Sequence, residues 1–409
     1  MSSPSTLWRN RAFLRLWAAQ AVSSFGARIT REGLPILAAT TLAAPASGLG
    51  ALSAMAGAAA VFTGLAAGWF VDSRRKRPVL VGADLFRTLV LLSIPIAAAL
   101  HCLHMAQVLV VAGLVGVASV LFDMASHAYL PGLIGTEHLL EGNARLAATE
   151  SVAEMGGPAL AGLLFQWLSA PFALAVNAGT YLVSGVILAS IKAAEAAPDI
   201  PPPQHWTHDI SEGLRLSWGE PRVRALLLMG LVQGLFGGVF GALYVLFALR
   251  TLNLPTSLLG LAIAMGGVGA LVSAWLGPWL ARKIGMGPAI IATITGASLS
   301  ALMIATAPTD RLGAMTVMIL TQITGDAFGG AAWMLMATLR QGIMPQAVLG
   351  RVAGAFQASA GLVAIPGALG GGWLASVIGV RETLLLAAAG FLAIPLIGVL
   401  SPLRQVRTP

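Results

Sequence analysis

The chain has 409 residues, of which 57% are hydrophobic and 10% are charged. A soluble domain has about 25% charged residues, so this composition argues against a water-soluble enzyme, a disordered protein and a nucleic-acid binder. The formal net charge of +8 indicates orientation in a membrane rather than a polyanionic partner, and the single cysteine excludes an internal disulfide framework and a cysteine-based zinc site.

Twelve apolar segments are long enough to cross a bilayer, whose hydrocarbon core requires about 20 residues per helix. They are too long and continuous for the strands of an outer-membrane barrel. The sequence therefore predicts an all-α integral membrane protein with twelve transmembrane helices, and we expect no cleaved signal peptide. The predicted spans are residues 14–41, 47–71, 79–100, 105–129, 143–168, 171–192, 223–249, 256–280, 287–307, 312–337, 352–376 and 383–401.

The distribution of basic residues predicts the orientation of these spans. With a cytoplasmic N-terminus, 18 of the 24 Lys and Arg residues fall in cytoplasmic segments and three, Arg250, Arg311 and Arg381, in external ones. The remaining three, Arg28, Arg31 and Arg87, lie within or near spans. Cytoplasmic loops of membrane proteins carry such an excess. We therefore expect a multi-pass membrane protein with both termini in the cytoplasm.

The longest polar interruption separates two sets of six spans. After several prolines it contains Ile210, Leu214 and Trp218 at four-residue intervals, which predicts a helix lying on the cytoplasmic membrane surface. The predicted domains are an N-terminal six-helix half at 1–192, a linker at 193–221 and a C-terminal six-helix half at 222–409.

The two halves match each other at an offset near 209 residues. Ala159–Gly162 recurs as Ala368–Gly371, and Trp8 before the first span corresponds to Trp218 before the seventh. A duplicated six-helix unit predicts two pseudo-symmetric halves about an axis along the membrane normal, with a substrate site between them.

The segment from Gly68 to Arg77 reads GWFVDSRRKR. It resembles the loop 2–3 signature of the major facilitator superfamily, G-x-x-x-D-R/K-x-G-R/K-R/K, with Ser73 in place of a basic residue and Arg75 in place of the glycine. Other segments resemble the branch of the enterobactin exporter and the macrolide efflux proteins. These segments are Phe13–Trp17, Ala83–Arg87, Gly157–Gly162 and Leu349–Arg351.

The resemblance implies a transporter of the bacterial inner membrane whose two halves rock around a central cavity. Gly157–Gly162 reads GPALAG and is similar to the fifth-helix glycine–proline motif of antiporters, with Ala161 where a glycine is usual. In the family this motif is associated with export rather than uptake. The alternative is a packing kink without directional meaning, because Pro158 bends a helix and Gly157 and Gly162 permit close packing.

Charged residues within the predicted spans are candidates for proton coupling or substrate binding, because a charge at membrane depth costs at least ~2.5–3.5 kcal/mol. Glu32 is the first choice for the proton-coupling residue, with Arg28 four residues away as its partner. Arg28 and Arg31 also allow capture of an acidic substrate, and a solvated patch near the outer end is the alternative. The further candidates are Asp123, His127, Glu150, Glu154 and Asp326, for which buried acids satisfied by hydrogen bonds are the alternative.

A second group of residues is predicted to act in gating at the cytoplasmic ends of the second and third spans. Asp72 is expected to accept hydrogen bonds from helix N-terminal amides or to pair with an arginine in the closed state. The basic residues would bind anionic lipid headgroups or serve only to set topology. Asp84 and Arg87 form a structural ion pair or complete the gate. The group comprises Gly68, Asp72, Arg74, Lys76, Arg77, Asp84 and Arg87.

Six aromatic residues are candidates for an apolar cavity wall, with ordinary helix packing as the alternative. They are Phe25, Phe122, Phe236, Phe240, Phe328 and Trp333.

The predicted function is secondary transport driven by the proton gradient. No lysine follows a glycine and no HExxH occurs, so we expect no nucleotide-hydrolysing site, no metal, no cofactor and no enzyme activity. We expect a proton-coupled exporter of an amphipathic small molecule, such as a siderophore or a hydrophobic drug. A proton-coupled importer, a membrane enzyme acting on lipid-borne substrates and a non-transporting scaffold or sensor are the alternatives. The expected partners are that substrate, protons and membrane lipids, without nucleic acid and with a monomer as the default.

Overall fold

A computed structural model describes residues 6–192, 195 and 206–407. Within these residues the regular secondary structure is helical and contains no strand, which confirms the predicted all-α fold class. The α-helices are α1 (Arg11–Thr40), α2 (Ala46–Asp72), α3 (Lys76–Ala99), α4 (Met105–Ile134), α5 (Leu139–Trp167), α6 (Ala170–Ala189), α7 (Trp206–Gly219), α8 (Pro221–Leu246), α9 (Thr256–Ala264), α10 (Gly266–Ile284), α11 (Met286–Ala305), α12 (Arg311–Ile343), α13 (Leu349–Ile378), α14 (Val380–Phe391) and α15 (Ala393–Leu400).

Each of the twelve predicted spans corresponds to one helix or to two consecutive helices. Met265 interrupts one span between α9 and α10, and Leu392 interrupts another between α14 and α15. Among the described residues, nine helical stretches are long and apolar enough to cross a membrane. The other three long helices, α1, α5 and α12, carry charged residues in their interiors.

The starts of the helices repeat along the chain at a constant offset. α1 begins at Arg11 and α8 at Pro221, 210 positions later, and the same interval separates α3 from α11. Five pairs of helices start at this offset, which agrees with the internal repeat of the sequence. The five pairs are α1 and α8, α2 and α9, α3 and α11, α5 and α13, and α6 and α14.

Capping side chains and glycines define several helix ends. The Asn10 side chain accepts hydrogen bonds from the amides of Ala12 and Phe13 at 3.0 and 3.1 Å, and thereby begins α1. α4 ends at Gly135, whose φ of +76° lies in the left-handed region that favours glycine. These positions show how single residues set the lengths of the long helices.

One compact unit contains the described residues of Met1–Leu42 and Ala58–Gln204. In this unit α1 packs against α5 and α6, and α3 packs against α4 and α6. Phe13, Leu80 and Leu130 belong to its buried apolar core.

A second compact unit contains the described residues of Ala43–Gly57 and His205–Pro409. It therefore includes the beginning of α2, which the sequence analysis placed in the first half. Small residues allow this packing, because an added Cβ at Gly50 would lie 2.5 Å from the Ala368 carbonyl oxygen and 2.9 Å from Gly372 Cα. Within this unit α8 packs along α13, and α12 packs against α10 and α11.

The helix expected in the linker is α7, and it packs within the second unit. Within residues 208–219 Gly213 and Ser217 are buried, Ile210 and Leu214 are half-buried on the same side of the helix, and Trp218 is exposed. Gly213 lies against the backbone of Arg351 on α13, and Arg351 Nη1 lies 3.0 Å from Glu212 Oε2. The prolines of the linker, Pro198 and Pro201 to Pro203, lie outside the described residues.

The contact between α8 and α13 generates a prediction for Gly238. An added Cβ would lie 2.2 Å from the Ala364 carbonyl oxygen, so we expect Gly238→Ala to lower the free energy of unfolding by about 1–3 kcal/mol through overpacking. Gly230 on the same helix has no atom within 4 Å of an added Cβ, and Gly230→Ala is the matched control. Thermal unfolding in detergent measures both, and equal stability of the two variants would contradict this account of the contact.

Candidate site: buried and half-exposed charges within the helices

A fully buried ion pair lies at the centre of the first unit. The side chains of Asp84 and Arg87 on α3 are 0% and 1% exposed and are joined by an Arg87 Nη2–Asp84 Oδ1 contact. The guanidinium lies 4.5 Å from the ring of Phe122 and 4.3 Å from the ring of Tyr181. Two aromatic faces and a carboxylate thus replace the water that a charged arginine needs, which favours the structural alternative for Asp84 and Arg87.

Serine, threonine, asparagine and tyrosine side chains extend this buried pair across four helices. Arg87 donates to Ser23 Oγ at 3.2 Å and to Ser119 Oγ at 3.3 Å. Asn177 donates to Thr30 Oγ1 at 2.6 Å. The sequence does not distinguish these four polar residues, because a single serine or threonine in an apolar helix is unremarkable and their contacts join helices that are distant in the chain. The only signal was their presence inside otherwise apolar spans.

A second, half-exposed group of charges joins α1 to α5. Arg28 Nη1 donates to Glu154 Oε1 at 2.8 Å, and Arg28 Nη2 lies 3.7 Å from Glu150 Oε1. Glu32 instead accepts from Arg31 Nε at 3.0 Å. The expected pair between Arg28 and Glu32 is therefore replaced by pairs of Arg28 with two acids of the neighbouring helix. We call these five residues the α1–α5 charge cluster.

The glycine–proline motif on α5 lies directly against this charge cluster. An added Cβ at Gly157 would lie 2.5 Å from Arg28 Cβ, and one at Gly156 would lie 3.3 Å from Phe25. Pro158 and Gly162 are buried in the same helix. The absence of a side chain at Gly157 therefore lets Arg28 approach α5 closely enough to reach Glu154.

Asp123 and His127 lie on α4 and are both exposed. Among the described residues, neither side chain forms an ion pair within 4 Å. The Asp123 carboxylate interacts electrostatically with the charges of Arg87, Glu150, His127 and Arg28.

The basic residues between α2 and α3 mainly satisfy helix ends. Lys76 Nζ donates to the carbonyl oxygens of Val71 and Asp72 at 2.8 and 3.0 Å at the end of α2. Arg77 donates to the carbonyl oxygens of Leu188 and Ala189 at the end of α6. Positive side chains stabilise helix C-termini in this way.

Asp72 is exposed, and its carboxylate forms no ion pair with any residue that the structure describes. The Glu195 carboxylate instead accepts hydrogen bonds from the backbone amides of Lys76 and Arg77 at the start of α3. The sequence gives no sign of this contact, because Glu195 is almost 120 positions away from Lys76. Gly68 lies on α2, where an added Cβ would meet only Met124 Cε at 3.8 Å. The gating role of Asp72 stays a prediction.

In the second unit, Asp326 on α12 lies beside the break between α9 and α10. Gln322 Nε2 donates to Asp326 Oδ2 at 2.9 Å, and Tyr244 donates to Gln322 Oε1 at 2.9 Å. An added Cβ at Gly266 would lie 2.0 Å from Asp326 Oδ2. This intramembrane acid is therefore held by an amide and packed against an interrupted helix.

The six aromatic residues proposed as a cavity wall differ in burial. Phe122 is buried beneath Arg87, which is incompatible with an open wall. Phe236 and Phe240 pack against Phe391, with ring centroids 6.0 and 5.4 Å apart. Helix packing therefore accounts for Phe122 and Phe240, whereas Phe236 also lines a groove of the second unit. The others are placed as follows: Phe25 lies beside Gly156, Phe328 beside Gly296, and Trp333 is largely exposed.

Comparison with known proteins identifies the family of the chain. The sequence profile of the Major Facilitator Superfamily matches residues 16–368. The chain belongs to this superfamily. It is also 28% identical, over 96% of its own length and 93% of the relative's, to the uncharacterised MFS-type transporter YfiS of Bacillus subtilis (strain 168). The chain is therefore a multi-pass membrane transporter, and a transporter binds a small-molecule substrate.

Solved structures of transporters have the same fold. The nucleoside transporter NupG aligns with a TM-score of 0.78 and 13% identity, covering 95% of this chain and 98% of NupG. A bacterial homologue of the iron transporter ferroportin, in an inward-facing state, aligns with a TM-score of 0.74 and 16% identity, covering 97% and 99%. At these identities the similarity concerns the fold and not the substrate.

The buried pair generates a prediction for Asp84. We expect Asp84→Asn to lower the free energy of unfolding by about 3–5 kcal/mol, because Arg87 would remain charged and buried without its carboxylate. Replacing both residues, as Asp84→Asn with Arg87→Met, should recover part of that loss. Thermal unfolding in detergent is the measurement.

The matched control is Glu220→Gln, which removes the partner of Arg222 from a solvent-accessible ion pair. Such a pair contributes only about 0.2–1 kcal/mol. The assignment of Asp84 as a structural residue fails if Asp84→Asn is no more destabilising than this control.

Proposed function

We propose that the protein is a proton-coupled exporter of an amphipathic small molecule, in the branch of the enterobactin exporter and the macrolide efflux proteins. The observation that carries the proposal is the ion pair between Glu154 on α5 and Arg28 on α1. Glu154 is a half-exposed acid, 48% accessible, on a helix that the sequence predicts to cross the membrane, and its base lies on a different helix. A carboxylate binds a proton more readily when its positive partner moves away.

The same reasoning favours Glu154 over Glu32 as the residue that exchanges the proton. Glu32 is only 12% exposed and pairs with Arg31, its neighbour on α1. A movement of α1 against α5 would not separate those two residues, whereas it would change the distance from Arg28 to Glu154. Glu150 pairs with the same arginine as Glu154 and is the candidate to receive the proton next, and Asp326 on α12 is the candidate acid of the second half.

The glycine–proline motif supports the proposed direction of transport. The branch resemblance associates this motif with export, and Gly157 lies at the contact that holds Arg28 on Glu154. Bending or separation of α5 at Pro158 would therefore act directly on the proton-binding acid. In this proposal, helix movement and proton exchange are linked at one contact.

The remaining features of the proposal follow from the superfamily and the composition. The energy source is the proton gradient, without a cofactor, and the cargo is a siderophore or a hydrophobic drug. The protein works as a monomer by alternating access in the bacterial inner membrane, with both termini in the cytoplasm. The basic bias of the predicted cytoplasmic segments supports that orientation.

Purified protein in vesicles with an imposed pH gradient tests the proposal. The probes are a radiolabelled macrolide and an iron-free catecholate siderophore, each assayed in inverted and right-side-out vesicles. We expect accumulation of at least one probe in inverted vesicles only when the interior is acidic. Accumulation in right-side-out vesicles under an inward proton gradient would instead identify an importer.

Glu154→Gln should reduce transport to the rate measured without a gradient while leaving equilibrium binding of the probe intact, because a neutral amide cannot exchange a proton. Glu137→Gln changes an exposed acid that forms no ion pair with the described residues and is the matched control. Gradient-driven transport by Glu154→Gln at the wild-type rate would exclude Glu154 as the coupling residue.

A further inference from the structure

The first unit contains a groove of about 740 Å³ between the end of α2, the first turns of α3 and the middle of α4. Its walls are mostly apolar and include Phe70, Val79, Phe86 and Leu121. This volume lies within the range of about 300–1,000 Å³ that is typical of small-molecule sites. The groove is therefore large enough for a bound ligand, and its walls favour a hydrocarbon one.

The length of the groove matches one leaflet of a bilayer. The residues of α3 that line it extend from Pro78 to Phe86, and with 1.5 Å per residue this stretch is about 12 Å long. One leaflet contributes about half of a hydrocarbon core that is ~30 Å thick. Leu89, one turn beyond Phe86, is 70% exposed, so the apolar surface continues past the groove.

The polar end of the groove is positively charged. Its mouth is formed by Ser73, Arg74 and Arg75. Arg74 lies over the Phe70 ring at 4.5 Å, and among the described residues neither Arg74 nor Arg75 forms an ion pair with a carboxylate. Lys76 and Arg77, by contrast, already bond the carbonyl oxygens of helix ends. Only two of the four consecutive basic residues therefore remain for an external anion.

We propose that this groove is a binding site for one anionic phospholipid. An acyl chain lies along Val79, Phe86 and Leu121, and the phosphate lies between the guanidinium groups of Arg74 and Arg75. The occupant is a lipid because a cationic mouth above an apolar groove of leaflet depth complements both parts of such a molecule. In the predicted orientation this is the cytoplasmic leaflet, which carries anionic lipids. The site is independent of the proposed proton exchange at Glu154.

Native mass spectrometry of the purified, delipidated protein tests the site. The probes are phosphatidylglycerol, phosphatidylcholine with identical acyl chains, and inorganic phosphate. We expect phosphatidylglycerol to bind about 30-fold more tightly than phosphatidylcholine, since each arginine near an anionic headgroup contributes about 1 kcal/mol. Inorganic phosphate should not displace the bound lipid.

Two pairs of variants separate the headgroup from the acyl chain. Arg74→Gln with Arg75→Gln should abolish the preference for phosphatidylglycerol, whereas Arg282→Gln with Lys283→Gln, the same charge change at the end of α10, should preserve it. Gly82→Trp should lower binding of both lipids by filling the groove, since an added Cβ at Gly82 has no atom within 4 Å. Gly370→Trp is its control, in an uncharged groove of the second unit where an added Cβ is equally free.

Each variant is first compared with the wild type by size-exclusion elution and helical circular dichroism. The proposal is overturned if wild-type protein shows no preference for phosphatidylglycerol, or if the preference survives in the Arg74 and Arg75 variant. Equal loss in both charge variants would indicate attraction to general surface charge instead of this site. Displacement by inorganic phosphate would indicate a site for a free anion, and dimer masses that vanish in Gly82→Trp would indicate that a second copy occupies the groove.

Discussion

A charge inside a membrane needs a partner supplied by the protein, and this constraint organises the first unit. Arg87 is enclosed by Asp84, two serine hydroxyl groups and two aromatic rings. These partners come from α1, α3, α4 and α6, so satisfying one guanidinium requires four helices to pack in a fixed arrangement. The same constraint explains why the half-exposed α1–α5 charge cluster, whose charges are only partly enclosed, is the better candidate for a changing protonation state.

Glycine determines which of these charges can meet. At Gly157 the missing side chain lets Arg28 lie against α5, and at Gly50 it lets α2 lie against α13. In a membrane, helix association depends on close packing because lipid tails are as apolar as the helices themselves. A small residue therefore does more than permit a bend, since it selects the neighbouring helix and thereby the ionic partner.

The four consecutive basic residues from Arg74 to Arg77 divide into two pairs with different surroundings, which the sequence does not distinguish. Lys76 and Arg77 satisfy carbonyl oxygens at the ends of α2 and α6. Arg74 and Arg75 line the mouth of an apolar groove. As a topological signal the four consecutive cations are equivalent. Their surroundings differ because each side chain leaves the backbone in its own direction at the start of α3, two toward helix ends and two toward the groove.

The amino-acid sequence by itself determined the all-α class, the twelve spans and the repeat, because hydrophobic length and helix-start signals are local properties. It also located the intramembrane charges, since each is conspicuous within an apolar run. The tertiary structure decided their partners: Arg28 with Glu154 instead of Glu32, Phe122 beneath Arg87 instead of along a cavity, and Glu195 instead of Asp72 at the start of α3. The physical reason is that a charge pairs with whichever group lies nearest in space, and helix packing brings residues together that are a hundred or more positions apart.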